Sequence, residues 1–160
     1  MYTLNRLWKY NDWANKLLMK TFEDSREDIP APCLRLLSHI VNTQTAWLNR
    51  VTDKKTGTTA WQEHSLEECK KMHEQTSAVM KEILDHQEED LFKLFEYKNF
   101  AGQTYKSELY DILLQVLTHG VYHRAQIAQE MRRAGLEPIL TDYIHFVRTT
   151  QTDHGFGSTQ

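Results

Sequence analysis

The sequence has few of the residues that build disulfide scaffolds, thiolate metal clusters or turn-rich β folds. Two cysteines occur in 160 residues, and they are far apart in the chain, at Cys33 and Cys69. This spacing excludes a CxxC metal or redox motif and argues against a disulfide framework. Proline and glycine are also scarce, with three and six copies. Both are helix breakers, so their scarcity is compatible with long helices.

The chain also lacks an excess of positive charge and a long apolar run. Its formal net charge is −3, so it does not have the basic footprint of a nucleic-acid-binding protein. No apolar stretch approaches the ~20 residues that a membrane-spanning helix needs, and the N-terminal stretch MYTLNRLWKYNDWANKLLMK contains no apolar signal region. We therefore expect a cytoplasmic protein with no nucleic-acid or membrane partner. With 40% hydrophobic and 26% charged residues, the composition is that of a globular domain.

Apolar residues recur with helical spacing in four long segments, which predict four amphipathic helices. The first spans about residues 3–22 and the second about 32–51, with the proline-containing segment DIPAPC between them. A third begins at SLEE, where Ser65 and Glu68 have the spacing of a capping box. A fourth is predicted to begin at a side-chain cap on Ser107.

The segment FEYKNFAGQTYKS, before the fourth helix, has a different pattern. Aromatic and polar residues alternate there around Asn99 and Gly102, which predicts a short β-hairpin. The expected fold class is therefore all-α, a four-helix bundle with one hairpin between helices 3 and 4. We expect a single domain over residues 1–148, in which a short last helix lies near DYIHFVR, and a polar C-terminal tail over residues 149–160.

Eight histidines are present, and one pair among them has a spacing that suits metal binding. His119 and His123 are four residues apart, so a helix would place both imidazoles on one side. They continue the apolar stripe of the fourth helix, where a buried imidazole without a partner would cost about 1–3 kcal/mol. A chance pair with no role is the competing interpretation. A metal would need a third ligand from another helix, and His39 and His73 both lie on predicted apolar faces.

The residues around the histidines exclude two common metal chemistries. Gly120 occupies the position where a zincin helix has its general-base glutamate, so a thermolysin-like protease is excluded. No histidine has a glutamate three residues before it, which excludes a ferritin-like di-iron centre. A mononuclear, nitrogen-rich site remains. Gly120 would also let a neighbouring helix or a ligand approach the fourth helix closely.

Three stretches of the sequence match a known pattern in their order and spacing. They are YNDWANKLL in the first helix, LLSHIVNTQTAWLNR in the second, and HGVYHRAQI with the RRAGLEP that follows it in the fourth. Together with the aromatic hairpin they resemble the DinB family, within the DinB/YfiT-like group of metal-dependent enzymes. The resemblance covers about residues 2–148. It implies an up-down-down-up four-helix bundle, commonly a homodimer, with Zn²⁺ or Ni²⁺ bound.

The resemblance also implies which residues hold the metal and what the metal does. The ligands would be His39, His119 and His123, which favours His39 over His73 as the third ligand. Relatives suggest a metal-dependent thiol S-transferase or hydrolase that acts in stress or detoxification on a low-molecular-weight thiol and an electrophilic small molecule. The alternatives are a non-catalytic metal-binding stress-response protein and a bundle whose histidines merely pack.

Several other polar residues have two interpretations each. Asn11 and Asn15 would either join two helices or contact a ligand, and Arg50 would bind an anionic substrate group or form an ion pair. Gln126 could orient a ligand histidine through a hydrogen bond. The family pattern often carries a glutamate near Gln44, and its absence here leaves the general base unassigned.

Overall fold

The protein is described from a computed structural model, which covers residues 2–25, 29–55, 57–86, 90–99 and 101–150. Within these ranges the chain forms helices and one hairpin: α1 Tyr2–Asp24, α2 Ala31–Val51, α3 Leu66–His86, β1 Leu94–Lys98, β2 Thr104–Glu108, α4 Leu109–Arg133 and α5 Tyr143–Thr150. The predicted all-α class and the hairpin between helices 3 and 4 are confirmed. α5 extends two residues into the predicted tail, and the rest of that tail lies outside the described residues.

The start of α3 follows the predicted capping box. The backbone N–H of Glu68 donates to Ser65 Oγ at 3.2 Å, and Glu68 Oε2 accepts from the backbone N–H of Ser65 at 2.8 Å. Each side chain therefore satisfies a backbone donor that the first helical turn leaves unpaired.

The predicted side-chain cap of α4 is wrong. Ser107 lies in β2, and Glu108 occupies the N-cap position without a side-chain hydrogen bond. The strand β2 continues directly into α4, so the first backbone N–H groups of the helix find partners in the segment before β1. Leu109 N donates to the Lys93 carbonyl at 3.0 Å, and Tyr110 N donates to the Leu91 carbonyl at 2.9 Å. No serine cap is needed there.

The helices pack in an up-down-down-up order. α1 and α2 each pack against both α3 and α4. α2 is antiparallel to α4, because Cys33 near its start contacts Ile127, and Thr43 further along contacts His119. α1 is antiparallel to α3 and parallel to α4. It follows that α2 and α3 run in the same direction.

Because α2 and α3 are parallel, the residues between them must return along the bundle. This crossover segment (residues 52–65) has to travel the ~30 Å length of α2, and an extended chain of its length reaches roughly 45 Å. Residues 60–64 of this segment lie beside the middle of α2 and are fixed there by hydrogen bonds. Asn42 Nδ2 donates to the Gln62 carbonyl at 2.7 Å, and His64 N donates to Ser38 Oγ at 3.0 Å.

Within the described residues the core has two large apolar clusters near the two ends of the bundle, and a smaller third cluster of Tyr10, Ala14 and Phe146 lies where α5 packs on α1. Between the two large clusters lies a polar layer of buried side chains: Asn11, Asn15, His39, Thr43, His73, Thr76, His123 and Arg124. Buried polar groups require partners, so this layer is where a site is expected. Among the described residues, no helix is long and apolar enough to cross a membrane.

Candidate metal centre

Two histidines of the polar layer, His39 and His123, come together with the partly exposed His119 between α2 and α4. His39 lies in the middle of α2, and His119 and His123 occupy successive turns of α4. One ring nitrogen from each lies within 4.8 Å of the other two. His39 and His123 are both 6% exposed. These three residues, the histidine triad, could hold a metal ion.

Hydrogen bonds fix the ring orientation of His39 and His123. His39 Nδ1 lies 2.7 Å from the Ala60 carbonyl oxygen, and His123 Nδ1 lies 2.7 Å from Gln126 Oε1. Both oxygens can only accept, so each Nδ1 carries the proton and donates it. The other ring nitrogen, Nε2, is then left with a free lone pair.

His119 is oriented in the same way by a hydroxyl group. Its Nδ1 lies 3.2 Å from Thr43 Oγ1, and that hydroxyl donates to the His39 carbonyl at 2.8 Å. Thr43 Oγ1 is therefore the acceptor for His119 Nδ1–H. Nε2 of His119 and Nε2 of His123 face each other at 3.1 Å with no proton to share. Two lone pairs at this distance repel each other, and a cation between them removes the repulsion, so this donor set fits a metal.

The surroundings keep the triad uncharged. Burial, followed by the neighbouring rings of His123 and His39, lowers the pKa of His119 to about 4. Burial also lowers the pKa of His39 and of His123. All three rings are therefore neutral at pH 7, which is the form that coordinates a metal.

The crossover segment covers one side of the triad. Trp61 stacks on the His39 ring with a centroid distance of 3.7 Å and an interplanar angle of 8°. The Arg35 guanidinium lies 5.2 Å from the centroid of the same tryptophan ring. His64 Nε2, 2.8 Å from Asn42 Oδ1, holds the end of the segment against α2. The segment thus supplies both the Ala60 acceptor and an aromatic wall.

The sequence model of the DinB family matches residues 1–154. The chain belongs to the DinB family. It is also 24% identical over 170 aligned positions to "Protein DinB" of Bacillus subtilis (strain 168), in an alignment that covers 92% of this chain and 95% of that relative. The resemblance found in the sequence is therefore confirmed over nearly the whole chain.

In this DinB-family chain His73, the other histidine considered as a third ligand, does not join the triad. His73 Nε2 lies 3.0 Å from Asp12 Oδ1, at the contact between α1 and α3. Burial opposes the ionisation of Asp12, but hydrogen bonds from His73 and Lys16 outweigh it and lower the pKa of the carboxyl to about 2. His73 is thus one half of a separate polar pair. The side chain of His86 and the whole of His154 lie outside the described residues.

Asn11 and Asn15 join two helices, as one of their two interpretations predicted. Their Oδ1 atoms accept hydrogen bonds of 2.9 and 2.8 Å from Arg124 Nη1. Gly120 leaves room for this contact, because a Cβ atom there would lie 2.6 Å from Asn11 Oδ1. Sequence reasoning missed Arg124. The signal available was its position four residues after Gly120, on the same face of the helix.

Arg50 lies at the hairpin end of the bundle rather than at the triad. Its guanidinium lies over Trp47 and Tyr97, 4.4 and 5.3 Å from the ring centroids, and burial lowers its pKa. Gln126 lies where it can orient His123, as the sequence suggested. Gln44 is buried in α2. Within the described residues, the ligand cluster contains no carboxylate, so no general base is found among its members.

Sequence reasoning also missed Ala60 and Trp61, both in the segment between the predicted second and third helices. Two signals could have found them. An up-down-down-up bundle requires a long return past α2, and Trp61 is a large aromatic residue in an otherwise polar stretch. The Ala60 carbonyl could not be predicted as an acceptor, because every residue has a backbone carbonyl group.

Proposed function

We propose that this chain binds one divalent metal ion, Zn²⁺ or Ni²⁺, through Nε2 of His39, His119 and His123. We further propose that it is a metal-dependent enzyme of the thiol S-transferase or hydrolase type, acting in stress or detoxification. The observation that carries the proposal is the convergence of one ring nitrogen from each of three uncharged histidines, two of them buried, within 4.8 Å of one another. Three protein ligands leave a position for an exchangeable ligand, which is the arrangement of catalytic metal sites.

When bound, such an ion supplies Lewis acidity, which lowers the pKa of a thiol or water beside it. The chain's part is to hold the three rings in one tautomer through Ala60, Thr43 and Gln126. Its own thiols are poor nucleophiles, because burial raises the pKa of Cys33 to about 11 and also raises that of Cys69. A reacting thiol would therefore come from outside, as a low-molecular-weight compound.

A cavity of about 400 Å³ beside the triad offers a place for that compound or for its electrophilic partner. Trp61 and Gln126, which touch triad rings, line one side of it, and Arg35 and Arg133 also line it. Glu130 forms an ion pair with Arg133. Arg35 Nε also lies 3.9 Å from Glu63 Oε1, so both arginines have carboxylate partners and their charge does not select one class of substrate.

The test has two steps, on protein purified without an affinity tag. Elemental analysis should find about one divalent metal per chain, with a sharp loss in His39→Ala, His119→Ala or His123→Ala and none in His64→Ala. Co²⁺ is then substituted and a small thiol is added. We expect sulfur-to-metal charge-transfer absorption that saturates with thiol and is absent in His119→Ala, because thiolate is a soft ligand.

The outcomes separate the candidate functions. Cys33 and Cys69 are fully buried, so a double Cys→Ala variant serves as the background that excludes their contribution. A spectrum unchanged at millimolar thiol would contradict the transferase and leave hydrolysis or non-catalytic metal binding. Full metal content in His39→Ala would contradict the three-histidine site itself. Turnover additionally requires an electrophile whose conjugation rate depends on the metal.

We also propose that the chain forms a homodimer. Val121 and Leu140 line one surface cavity and are 44% and 55% exposed, and Ile144 of α5 is 52% exposed. Exposed apolar side chains close together are typical of interaction surfaces. Sedimentation at low micromolar concentration should give the dimer mass, and Val121→Lys should lower it toward the monomer. A monomer mass for the unmodified chain would contradict this proposal.

A further inference from the structure

Arg124 carries a buried positive charge that the chain does not neutralise. The side chain lies between α1 and α4 and is 3% exposed. A guanidinium group stays protonated in proteins. Within the described residues, no carboxylate lies at ion-pair distance from it. Its contacts are the neutral side-chain oxygens of Asn11 and Asn15, both on Nη1, and the ring of Tyr10, whose centroid lies 5.3 Å from Arg124 Cζ.

The remaining donors of Arg124 form one edge of the guanidinium group. Nε and Nη2 are buried and have no hydrogen-bond partner. The N–H bonds of these two atoms point in the same direction, which is the fork that binds two oxygens of a carboxylate or phosphate. Buried charges in proteins are normally paired, so an unpaired fork of this kind indicates a missing anion.

Arg124 lines the same cavity as Val121 and Leu140, the residues of the proposed dimer contact, and in a single chain this cavity could admit such an anion. The cavity measures about 230 Å³ and lies between α1, α4 and the segment before α5. Tyr10, Arg132 and Thr141 line it as well, together with one carboxylate, that of Asp142. At about 30 Å³ for each water molecule of the liquid, it has the space of roughly seven waters. Two arginines against one aspartate give it a net positive lining.

We propose that this cavity is a second ligand site, which takes a small oxyanion, a carboxylate or a phosphate group, beside the guanidinium group of Arg124. Asn11 and Asn15 hold the guanidinium from the opposite side, and Gly120 leaves space for this cradle. Arg132, which is exposed, contributes a second positive charge at the mouth of the cavity. The site is separate from the histidine triad and needs no metal.

Thermal unfolding of the full-length, metal-stripped chain tests the site. The probes are inorganic phosphate and malonate, with neutral malonamide as the control and ionic strength held constant with sodium chloride. A ligand at ten times its Kd should raise Tm by about 3–5 °C. The larger response of the two anions identifies the preferred group. Equal Tm values with anions and with malonamide would overturn the proposal.

Variants assign the response to the cavity. Arg124→Met should abolish it, whereas Lys106→Gln, which removes an exposed positive charge of the hairpin, should retain it. Asp142→Asn should strengthen anion binding several-fold, because a competing negative charge is removed. Should Arg124→Met fail to fold, Arg132→Gln decides, since this exposed change should weaken binding about three- to tenfold. A response that persists in Arg124→Met or is unchanged in Arg132→Gln would overturn the proposal.

Two other occupants of the fork would also be detected. If Asp142 itself neutralises Arg124 in solution, Asp142→Asn alone will respond to anions while the unmodified chain does not. If a carboxylate of a second copy does so, the response will appear only on dilution to monomer. Either result would overturn the small-anion site.

Discussion

α4 carries two buried polar sites on two of its sides, and their electrostatic character is opposite. Toward α2 lies the histidine triad, in which every Nδ1 has an acceptor and the Nε2 lone pairs converge. Toward α1 lies Arg124, whose Nε and Nη2 have no hydrogen-bond partner among the described residues and whose guanidinium faces the Tyr10 ring. One site has excess lone pairs and the other has excess protons. The first is complementary to a cation and the second to an anion.

The geometry of the helix lets neighbouring residues serve different sites. His123 and Arg124 are consecutive in the sequence, and successive side chains of an α-helix are rotated by about 100°. Gln126 lies three residues after His123 and joins it on the α2 side. Gly120 lies four residues before Arg124 and makes room on the α1 side. The stretch HGVYHRAQ therefore contributes residues to two sites. The triad is the one that the sequence predicts more readily.

Removal of the metal should produce the largest change in thermal stability, and it tests whether the histidine triad binds a cation. A metal present at a thousand times its Kd stabilises the fold by about 4 kcal/mol. For a chain of this size that corresponds to roughly 8–16 °C in Tm. Chelator-treated protein should melt lower by this amount and recover when Zn²⁺ or Ni²⁺ is returned, as measured by calorimetry.

The matched variants are His119→Ala and His64→Ala. The first should melt at the same temperature with and without metal, because a triad ligand is gone. The second should keep the metal-dependent rise, since His64 contacts Asn42 rather than the triad. An unmodified chain whose Tm ignores chelator would contradict the metal site.

Gln126→Ala should lower metal affinity about 10- to 100-fold, which is the usual loss when the partner of a ligand histidine is removed. The change leaves all three ligand nitrogens in place but frees Nδ1 of His123 from its acceptor. Competition with a metal-sensitive chelator dye measures the affinity. Gln129→Ala, an exposed change on the same helix, should bind metal as the unmodified chain does. Equal affinities of the two variants would show that Gln126 does not orient His123.

The sequence predicts the triad better than the Arg124 site for a physical reason. His119 and His123 have the spacing of one helical turn, and that spacing alone brings them together. The choice of His39 as the third ligand depended on the family resemblance, because His73 also lies on a predicted apolar face. Arg124 becomes visible only when α1 is packed against α4, because its partners Asn11 and Asn15 are more than a hundred residues away.

Most of the fold, like the triad, could be predicted from the sequence. Helical periodicity gives the four long helices within a few residues, and the alternation around Asn99 gives the hairpin. The cap on Ser107 was wrong because the hairpin supplies carbonyl partners for α4, an interaction between segments that propensity does not contain. The position of the crossover segment depends on helix direction, which the family resemblance implied and spacing did not.

Gly120→Ala should disturb the contact between Arg124 and Asn11 and leave the histidine triad intact. Alanine favours the helix by about 1 kcal/mol relative to glycine. Its Cβ, however, would lie 2.6 Å from Asn11 Oδ1 and 2.9 Å from Arg124 Nη1, and overpacking of a buried contact costs about 1–3 kcal/mol. We expect a net loss of about 1 kcal/mol in urea unfolding, with full metal content. Gly57→Ala, where no atom lies within 4 Å, should change stability by less than ~0.5 kcal/mol.

A pH dependence of stability should belong to the triad and not to Arg124. In the unfolded chain an imidazole has a pKa near 6.5, whereas His119 in the folded chain has a pKa of about 4. Between these values the unfolded chain binds more protons, so the stability of the metal-free protein is full above about pH 6.5 and falls as the pH drops toward 4. Urea unfolding of metal-free protein across this range should show the decline, and His119→Asn should make it shallower.

Asp12, whose pKa is lowered from 3.8 to about 2, acts in a separate window below pH 4. Arg124 titrates in neither window, so Arg124→Met should leave the slope unchanged. A slope equal in His119→Asn and in the unmodified chain would show that His119 is not held uncharged by its surroundings.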